Sequence, residues 1–119
     1  MTPKQSERQV QRAIELAWPD SILAGHNKNT WWKRLSAVKS HRVSSKAEAM
    51  KSPGTFRDGD IEIQIDFYPP NRRGDRVNYP IMVKPYFDGL AEGWGINDKR
   101  FLPSYRFHEP VAGGKVVVS

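Results

Sequence analysis

The sequence predicts an α+β fold, a small mixed or antiparallel sheet with two main helices packed on it. The stretch IEIQIDF at residues 61–67 alternates apolar and polar side chains, as a half-buried strand does. Residues 30–50 and 80–92 instead carry apolar side chains at helical spacing. Because 119 residues suffice for one modest core, we expect residues 1–119 to form a single domain.

The N-terminal part of the chain permits two interpretations. The motif SERQ could form a capping box and begin a helix. Ile14, Leu16 and Trp18 also lie at alternate positions, which suits a strand that ends before Pro19. We favour the strand, preceded by a frayed leader at residues 1–11.

A basic amphipathic helix is predicted next, after a loop at residues 20–29. Thr30 or Asn29 can cap its first turn, and the helical pattern continues to about Met50. Lys39 and Lys46 should project away from the core. We expect the core side to include Trp31, Trp32, Leu35, Ala37, Val38, Arg42 and Ala47.

The second helix is expected to run over residues 80–92. Asn78 can cap it, Gly93 or Gly95 can end it, and Pro85 should bend or delay it. Its apolar stripe comprises Val83, Phe87, Leu90 and Ala91. Beyond it, the sequence predicts two further strands, at Phe101–Phe107 and Lys115–Val118.

The composition excludes several classes of site. There are no cysteines, which rules out disulfides, zinc–thiolate centres and cysteine nucleophiles. His26, His41 and His108 lack ligand spacing, so we expect surface or loop roles for them. No apolar run approaches a membrane span or a signal-peptide core, so we expect a cytoplasmic protein with no membrane partner.

The net charge of +6 is concentrated in one segment. Residues 28–51 carry seven basic side chains against Glu48, whereas the rest of the chain carries twelve of each sign. Such a segment suits a phosphate-bearing partner, because binding releases counterions from nucleic acid. The alternative is an ordinary solvated helix face.

An acidic cluster with one lysine follows in the sequence, formed by Asp75, Lys84, Asp88 and Asp98. Clustered carboxylates can hold a hard cation that polarises a phosphate and activates water, and a lysine can position that phosphate. Each residue also has a simpler interpretation: Asp75 as a loop cap, Lys84 with Asp88 as a solvated i,i+4 pair, and Asp98 as a turn residue.

The order of these residues resembles a known family. The pattern RRxDxxN at residues 72–78, a lysine six residues later, DGL at 88–90 and NDKRF at 97–101 is similar to the core signature of the RusA family of Holliday junction endonucleases, phage-type members above all. The upstream WPDSILAGHNKNTWWKRLSAVKSHR is similar as well, and the resemblance covers roughly residues 12–118. It implies an α+β homodimer that binds four-way DNA junctions and cuts them with Mg²⁺ in recombination and repair.

The resemblance also implies roles for individual residues. Asp75, Lys84 and Asp98 match catalytic positions, and Asp75, Asp88 and Asp98 match metal-binding ones. We expect DNA contacts from Lys28, Lys33, Arg34, Lys39, Arg42, Lys46, Arg72, Arg73, Arg76 and Asn78.

One position departs seriously from the family pattern. Val77 stands where a second aspartate is expected, and its isopropyl group offers Mg²⁺ no oxygen, so water or Glu62 would have to replace that ligand. Asn97, in place of the first aspartate of a pair, is a milder change. Two functions are therefore the main alternatives. The first is a junction endonuclease whose metal site lacks one ligand, and the second is a dimeric protein that binds branched DNA with little or no cleavage. A structural phage protein is a third, less favoured alternative. We expect Trp31, Trp32 and Trp94 in the core or a dimer contact rather than on DNA bases.

Overall fold

A computed structural model, described over residues 13–24 and 31–119, contains a four-stranded mixed sheet in the order β1-β4-β2-β3. β4 pairs antiparallel with β1 and β2, and β3 pairs parallel with β2. The predicted α+β class, with two main helices, is confirmed. The strands are β1 Ile14–Ala17, β2 Ile61–Tyr68, β3 Phe101–Phe107 and β4 Lys115–Val118.

Within the described residues, three α-helices accompany the sheet. α1 spans Trp31–Lys51, α2 spans Tyr79–Met82 and α3 spans Lys84–Trp94. Within the described ranges, none of these helices has the length and apolar character needed to cross a membrane. Short 3-10 helices lie at Ser21–Ala24, Arg76–Asn78 and Asp98–Arg100.

The core lies between one face of the sheet and the helices. Ile61, Ile63, Ile65 and Phe67 are all buried, as their alternation with polar residues predicts. The N-terminal ambiguity is resolved in favour of a strand, whereas the leader at residues 1–11 lies outside the described residues. β1 and β4 contribute Ile14, Leu16, Val116 and Val118 to the same core.

The proline-rich entry to the second predicted helix divides it in two. α2 ends at Met82, Val83 leaves helical geometry with φ −95° and ψ 2°, and α3 begins with Pro85 in its first turn. The expected delay at Pro85 is therefore confirmed, because a proline lacks an amide for an interior helical bond but is tolerated at a helix start. The expected cap from Asn78 is wrong, since its side chain makes no capping hydrogen bond.

The predicted core side of α1 is wrong in most of its members. Trp31, Trp32 and Leu35 are 59%, 74% and 50% exposed, and Arg42 and Ala47 are exposed as well. Ala37 is buried and Val38 partly buried, as predicted. The residues of α1 that are buried are Ala37, Ser45 and Ala49.

Small residues on both helices explain that difference. A Cβ atom added to Gly89 would lie 2.2 Å from the Arg42 carbonyl oxygen, and one added to Gly93 would lie 2.8 Å from that of Lys46. The backbones of α1 and α3 therefore approach too closely for large side chains between them. The predicted core role of Trp94 is confirmed: it packs beside Phe56 and Phe101, and its indole N–H donates to the Ser52 carbonyl over 3.0 Å.

Candidate functional site

Lys84 lies between two carboxylates at the start of α3. Its Nζ donates to Asp88 Oδ1 over 2.9 Å and to Asp98 Oδ2 over 2.6 Å. Asp88 follows Lys84 by one helical turn, and Asp98 opens the 3-10 helix that comes after α3. Gly95, in the left-handed conformation with φ 68°, ends α3, after which the chain reaches Asp98. Of the four side chains that the sequence groups, Asp75, Lys84, Asp88 and Asp98, the structure brings the last three together.

The electrostatics keep this cluster charged. The hydrogen bonds to Asp98 and then to Asp88 raise the pKa of Lys84 above its ordinary value. The hydrogen bond from Lys84 is the main reason that the pKa of Asp98 lies below its ordinary value. The Lys84 side chain is 61% exposed, so an approaching anion can reach the ammonium group.

Two depressions meet at Asp98. One, of about 430 Å³, is mostly apolar and includes Phe87, Phe101, Pro103 and Tyr105. The other, of about 330 Å³, is polar and includes Arg42, Asp88, Glu92 and Asn97. A ligand at this place would meet cations and carboxylates on one side and flat apolar surface on the other.

Asp75 does not join the cluster. Its Oδ1 accepts the backbone N–H of Val77 over 3.0 Å, which caps the 3-10 helix Arg76–Asn78. It lines a separate depression of about 420 Å³ together with Arg72, Arg76, Tyr79 and His108. This hydrogen bond confirms the interpretation of Asp75 as a capping residue.

The predicted metal set of Asp75, Asp88 and Asp98 is not assembled, which corrects the sequence prediction. Across residues 13–24 and 31–119, no three acidic, histidine or cysteine side chains are close enough to hold one metal ion. The 3-10 helix and α2 separate Asp75 from Lys84 along the chain, and the capping bond satisfies its side chain locally.

The structure also shows where Val77 and Glu62, the suggested substitute ligand, lie. The Val77 side chain is 79% exposed, so a carboxylate there would face solvent. Glu62 is exposed on the face of β2 opposite Ile61 and Ile63, and therefore away from the helices that carry Lys84. Glu62 is therefore wrong as a replacement ligand.

The chemistry of the remaining donors fits Mg²⁺ only in part. Asp88 and Asp98 supply the oxygen ligands that Mg²⁺ prefers. However, Asp88 Oδ1 and Asp98 Oδ2 already hold the ammonium group of Lys84, so a divalent cation would compete with it for these oxygens.

The predicted DNA-binding cations fall into two groups. Arg42 and Lys46 both pair with Glu92 at 3.0 Å, and Arg72 pairs with Glu109 at 2.5 Å. Of the other predicted residues, Arg73 and Arg76 are exposed and Asn78 is half-buried, whereas Lys28 lies outside the described residues. Lys33, Arg34 and Lys39 have no ion-pair partner within the described part of the chain, so these three α1 cations are open to phosphate.

Two histidine contacts were missed by the sequence reasoning. His108 Nε2 lies 2.6 Å from Oδ1 of the buried Asp66, and the His108 ring stacks on Tyr68. His41 Nε2 accepts the backbone N–H of Asp20 over 2.9 Å and is partly buried. His108 lies in the loop after β3, as expected, whereas His41 lies within α1 and is partly buried, which corrects the expectation for it; His26 lies outside the described residues. No local signal reveals these pairs, because the partners lie 42 and 21 positions apart.

The chain is similar to a protein of known sequence. An uncharacterized protein of Xylella fastidiosa (strain Temecula1) is 31% identical over 114 residues, which cover 91% of this chain and 74% of the relative. No protein-family model matches the chain. The resemblance to RusA therefore rests on the motif residues alone.

Proposed function

We propose that this chain, which belongs to one family with that Xylella fastidiosa protein, is a RusA-like structure-specific endodeoxyribonuclease that binds four-way DNA junctions as a homodimer and cleaves them slowly with Mg²⁺. The observation that carries the proposal is the cluster of Lys84, Asp88 and Asp98, open to solvent and next to the basic helix α1. A cytoplasmic setting, in recombination and repair of chromosomal or prophage DNA, follows from the same proposal.

The residues of the chain have distinct tasks in this proposal. Lys33, Arg34 and Lys39 bind backbone phosphates of a DNA arm, because they carry charge that no described residue neutralises. Lys84 exchanges one of its carboxylate partners for an oxygen of the phosphate to be cut and so positions it. Mg²⁺, when bound to Asp88 and Asp98, would supply a Lewis acid and lower the pKa of a bound water.

The second candidate is a dimeric protein that binds branched DNA and does not cut it. Two observations favour it: Asp75 lies apart from the other two aspartates, and Val77 offers no oxygen. Two carboxylates hold a well-hydrated cation less firmly than three or four do.

A labelled four-way junction tests the proposal and separates the two candidates. We expect tighter binding to the junction than to a duplex of equal length, and slow symmetric cleavage only when Mg²⁺ is present. Asp98→Asn should abolish cleavage and keep binding, while the exposed Asp58→Asn serves as the matched control and should change neither. Junction binding without any cleavage would favour the second candidate, and equal affinity for junction and duplex would overturn both.

Position 77 tests where the metal site lies. A carboxylate at this position would be exposed and would lie beside Asp75, which stands apart from Asp88 and Asp98. Val77→Asp should therefore leave both Mg²⁺-dependent cleavage and metal-free binding nearly unchanged. Faster cleavage by Val77→Asp, lost again when Asp75→Asn is added, would show that the metal is held at Asp75 instead.

The basic helix and the dimer are tested without cleavage. Neutralising Lys33, Arg34 and Lys39 to glutamine should flatten the dependence of junction affinity on salt, because fewer counterions are released. Sedimentation should show a dimer at about tens of micromolar, as two symmetric cuts require two centres in fixed relation. A monomer at that concentration would refute the dimer.

A further inference from the structure

The proposed function leaves the exposed tryptophans of α1 unexplained. Trp31 and Trp32 are exposed, and their rings meet edge to face with centroids 4.3 Å apart and planes at 71°. The buried side of α1 consists of Ala37, Ser45 and Ala49, so neither tryptophan supports the core. Large exposed aromatic side chains in a cluster mark an interaction site.

The charges around the pair indicate the chemistry of its partner. Lys33, Arg34 and Lys39 lie within about two turns of it and have no ion-pair partner among the described residues. The only acidic residue of α1, Glu48, lies in its last turns and pairs with Lys51. The partner is therefore anionic and also carries flat or apolar groups.

Unpaired nucleobases on a DNA strand fit this description better than an anionic membrane does. A membrane-binding helix needs a continuous apolar side. Here Lys39 and Lys46 interrupt the line of Trp32, Val43 and Met50 along the exposed side of α1. Two adjacent indole rings flanked by cations are, by contrast, the usual platform for bases of single-stranded nucleic acid.

The position of the pair connects it to the acidic cluster. Trp31 and Arg42 are eleven residues apart, which places them about 20° apart around the helix and about 16 Å apart along it. Arg42 lines the same depression as Asp88 and Asp98.

We infer that Trp31 and Trp32 form a stacking site for unpaired nucleobases, about three helical turns along α1 from Arg42 and the depression that it shares with Asp88 and Asp98. The inference rests on the proposed function in taking DNA as the ligand. It goes further in naming the feature of the DNA that is recognised, which is unstacked bases beside the branch rather than phosphate charge alone.

The test compares oligonucleotides that have equal backbone charge and differ in their bases. Fluorescence anisotropy of a labelled ten-nucleotide oligo(dT) and of an abasic strand of the same length should show that wild-type protein binds oligo(dT) at least about tenfold tighter. Trp31→Ala with Trp32→Ala should remove most of that preference and leave abasic binding unchanged. Trp31→Phe with Trp32→Phe should retain much of it, since a phenyl ring still stacks.

Two controls keep the result specific. Leu102→Ala removes a comparably exposed apolar side chain on β3 and should leave the preference intact. Lys33→Gln with Arg34→Gln should weaken binding of both oligonucleotides by similar factors. Thermal unfolding of the tryptophan variants should match wild type because both side chains are exposed.

The outcomes separate this inference from the proposed function. Equal affinity of wild-type protein for oligo(dT) and abasic strands would overturn the stacking site, even if junctions are bound and cut. A preference that depends on the tryptophans would support it, even if four-way junctions are not preferred over duplex. Tryptophan-dependent binding to phosphatidylglycerol vesicles without a base preference, or loss of the dimer in the alanine variant with an unchanged base preference, would also overturn it.

Discussion

At the scale of single residues, Lys84 determines the charge state of its neighbours. Lys84→Met should raise the pKa of Asp98 towards its ordinary value of 3.8, because the hydrogen bond from Lys84 is the main cause of its lowered pKa. A pH titration followed by NMR of the carboxyl carbon would measure this. The free energy of unfolding at neutral pH should change by less than about 1 kcal/mol, since the pair is exposed. Lys99→Met is the control, and an unchanged Asp98 pKa in Lys84→Met would contradict the assignment.

His41 should make stability depend on pH. Burial lowers its pKa below 6.5, with the Asp20 carboxylate acting in the opposite direction. Below pH 6.5 the unfolded chain therefore binds a proton that the folded chain does not, so this contribution to stability is complete above 6.5 and is lost as pH falls. Denaturant unfolding between about pH 7.5 and about pH 5.5 should show a smaller loss in His41→Gln than in wild type. Equal losses in the two proteins would show that His41 is not responsible.

The residues of the candidate site were predictable to different degrees. Lys84, Asp88 and Asp98 could be grouped from sequence because one helical turn and one glycine-ended helix join them. The position of Asp75 could not be predicted, because its carboxylate can bind either a distant cation or the backbone amide two residues ahead. In this structure it accepts the hydrogen bond from that amide, which belongs to Val77.

At the scale of elements, the bounds of α1 and all four strands follow from sequence, whereas the buried side of α1 does not. Apolar periodicity points to the large residues Trp31 and Leu35, which are exposed. The true contact places Ser45 against Gly89 and Ala49 against Gly93, and small residues carry almost no signal in a hydrophobic pattern. The close approach of α3 explains why side-chain size, rather than hydropathy, determines which residues of α1 are buried.

Gly89→Ala tests that close approach. Alanine stabilises a helix more than glycine does, by up to about 1 kcal/mol. However, its Cβ would lie 2.2 Å from the Arg42 carbonyl oxygen and 1.9 Å from Ser45 Oγ. Overpacking costs typically about 1–3 kcal/mol, and a backbone atom yields less than a side chain does, so we expect a net loss of about 2 kcal/mol in denaturant unfolding. Adding Ser45→Gly should not restore stability, because the carbonyl stays in place. Full rescue by Ser45→Gly would mean that only the hydroxyl is in the way.

At the scale of the whole molecule, β4 joins β1 to β2 in the sheet. Substitutions at two adjacent residues of β4 test which face of the strand is buried. Val116→Ala should lower the free energy of unfolding by about 2 kcal/mol, because Val116 is fully buried against β2 and the core. Val117→Ala, on the other face of the same strand, should cost less than about 1 kcal/mol. Thermal or denaturant unfolding of both variants measures the difference. Similar losses would contradict the observed register.

The same strand order has a consequence during protein synthesis. β4 is translated after the other three strands, yet it lies between β1 and β2. Until residues 115–118 have left the ribosome, β1 has no partner strand and β2 presents an unpaired edge beside an apolar face. At an elongation rate of about 5–20 residues per second, residues 61–67 wait several seconds for that partner. The nascent chain is therefore expected to be most vulnerable to aggregation and to need chaperones in that interval, before its sheet can close.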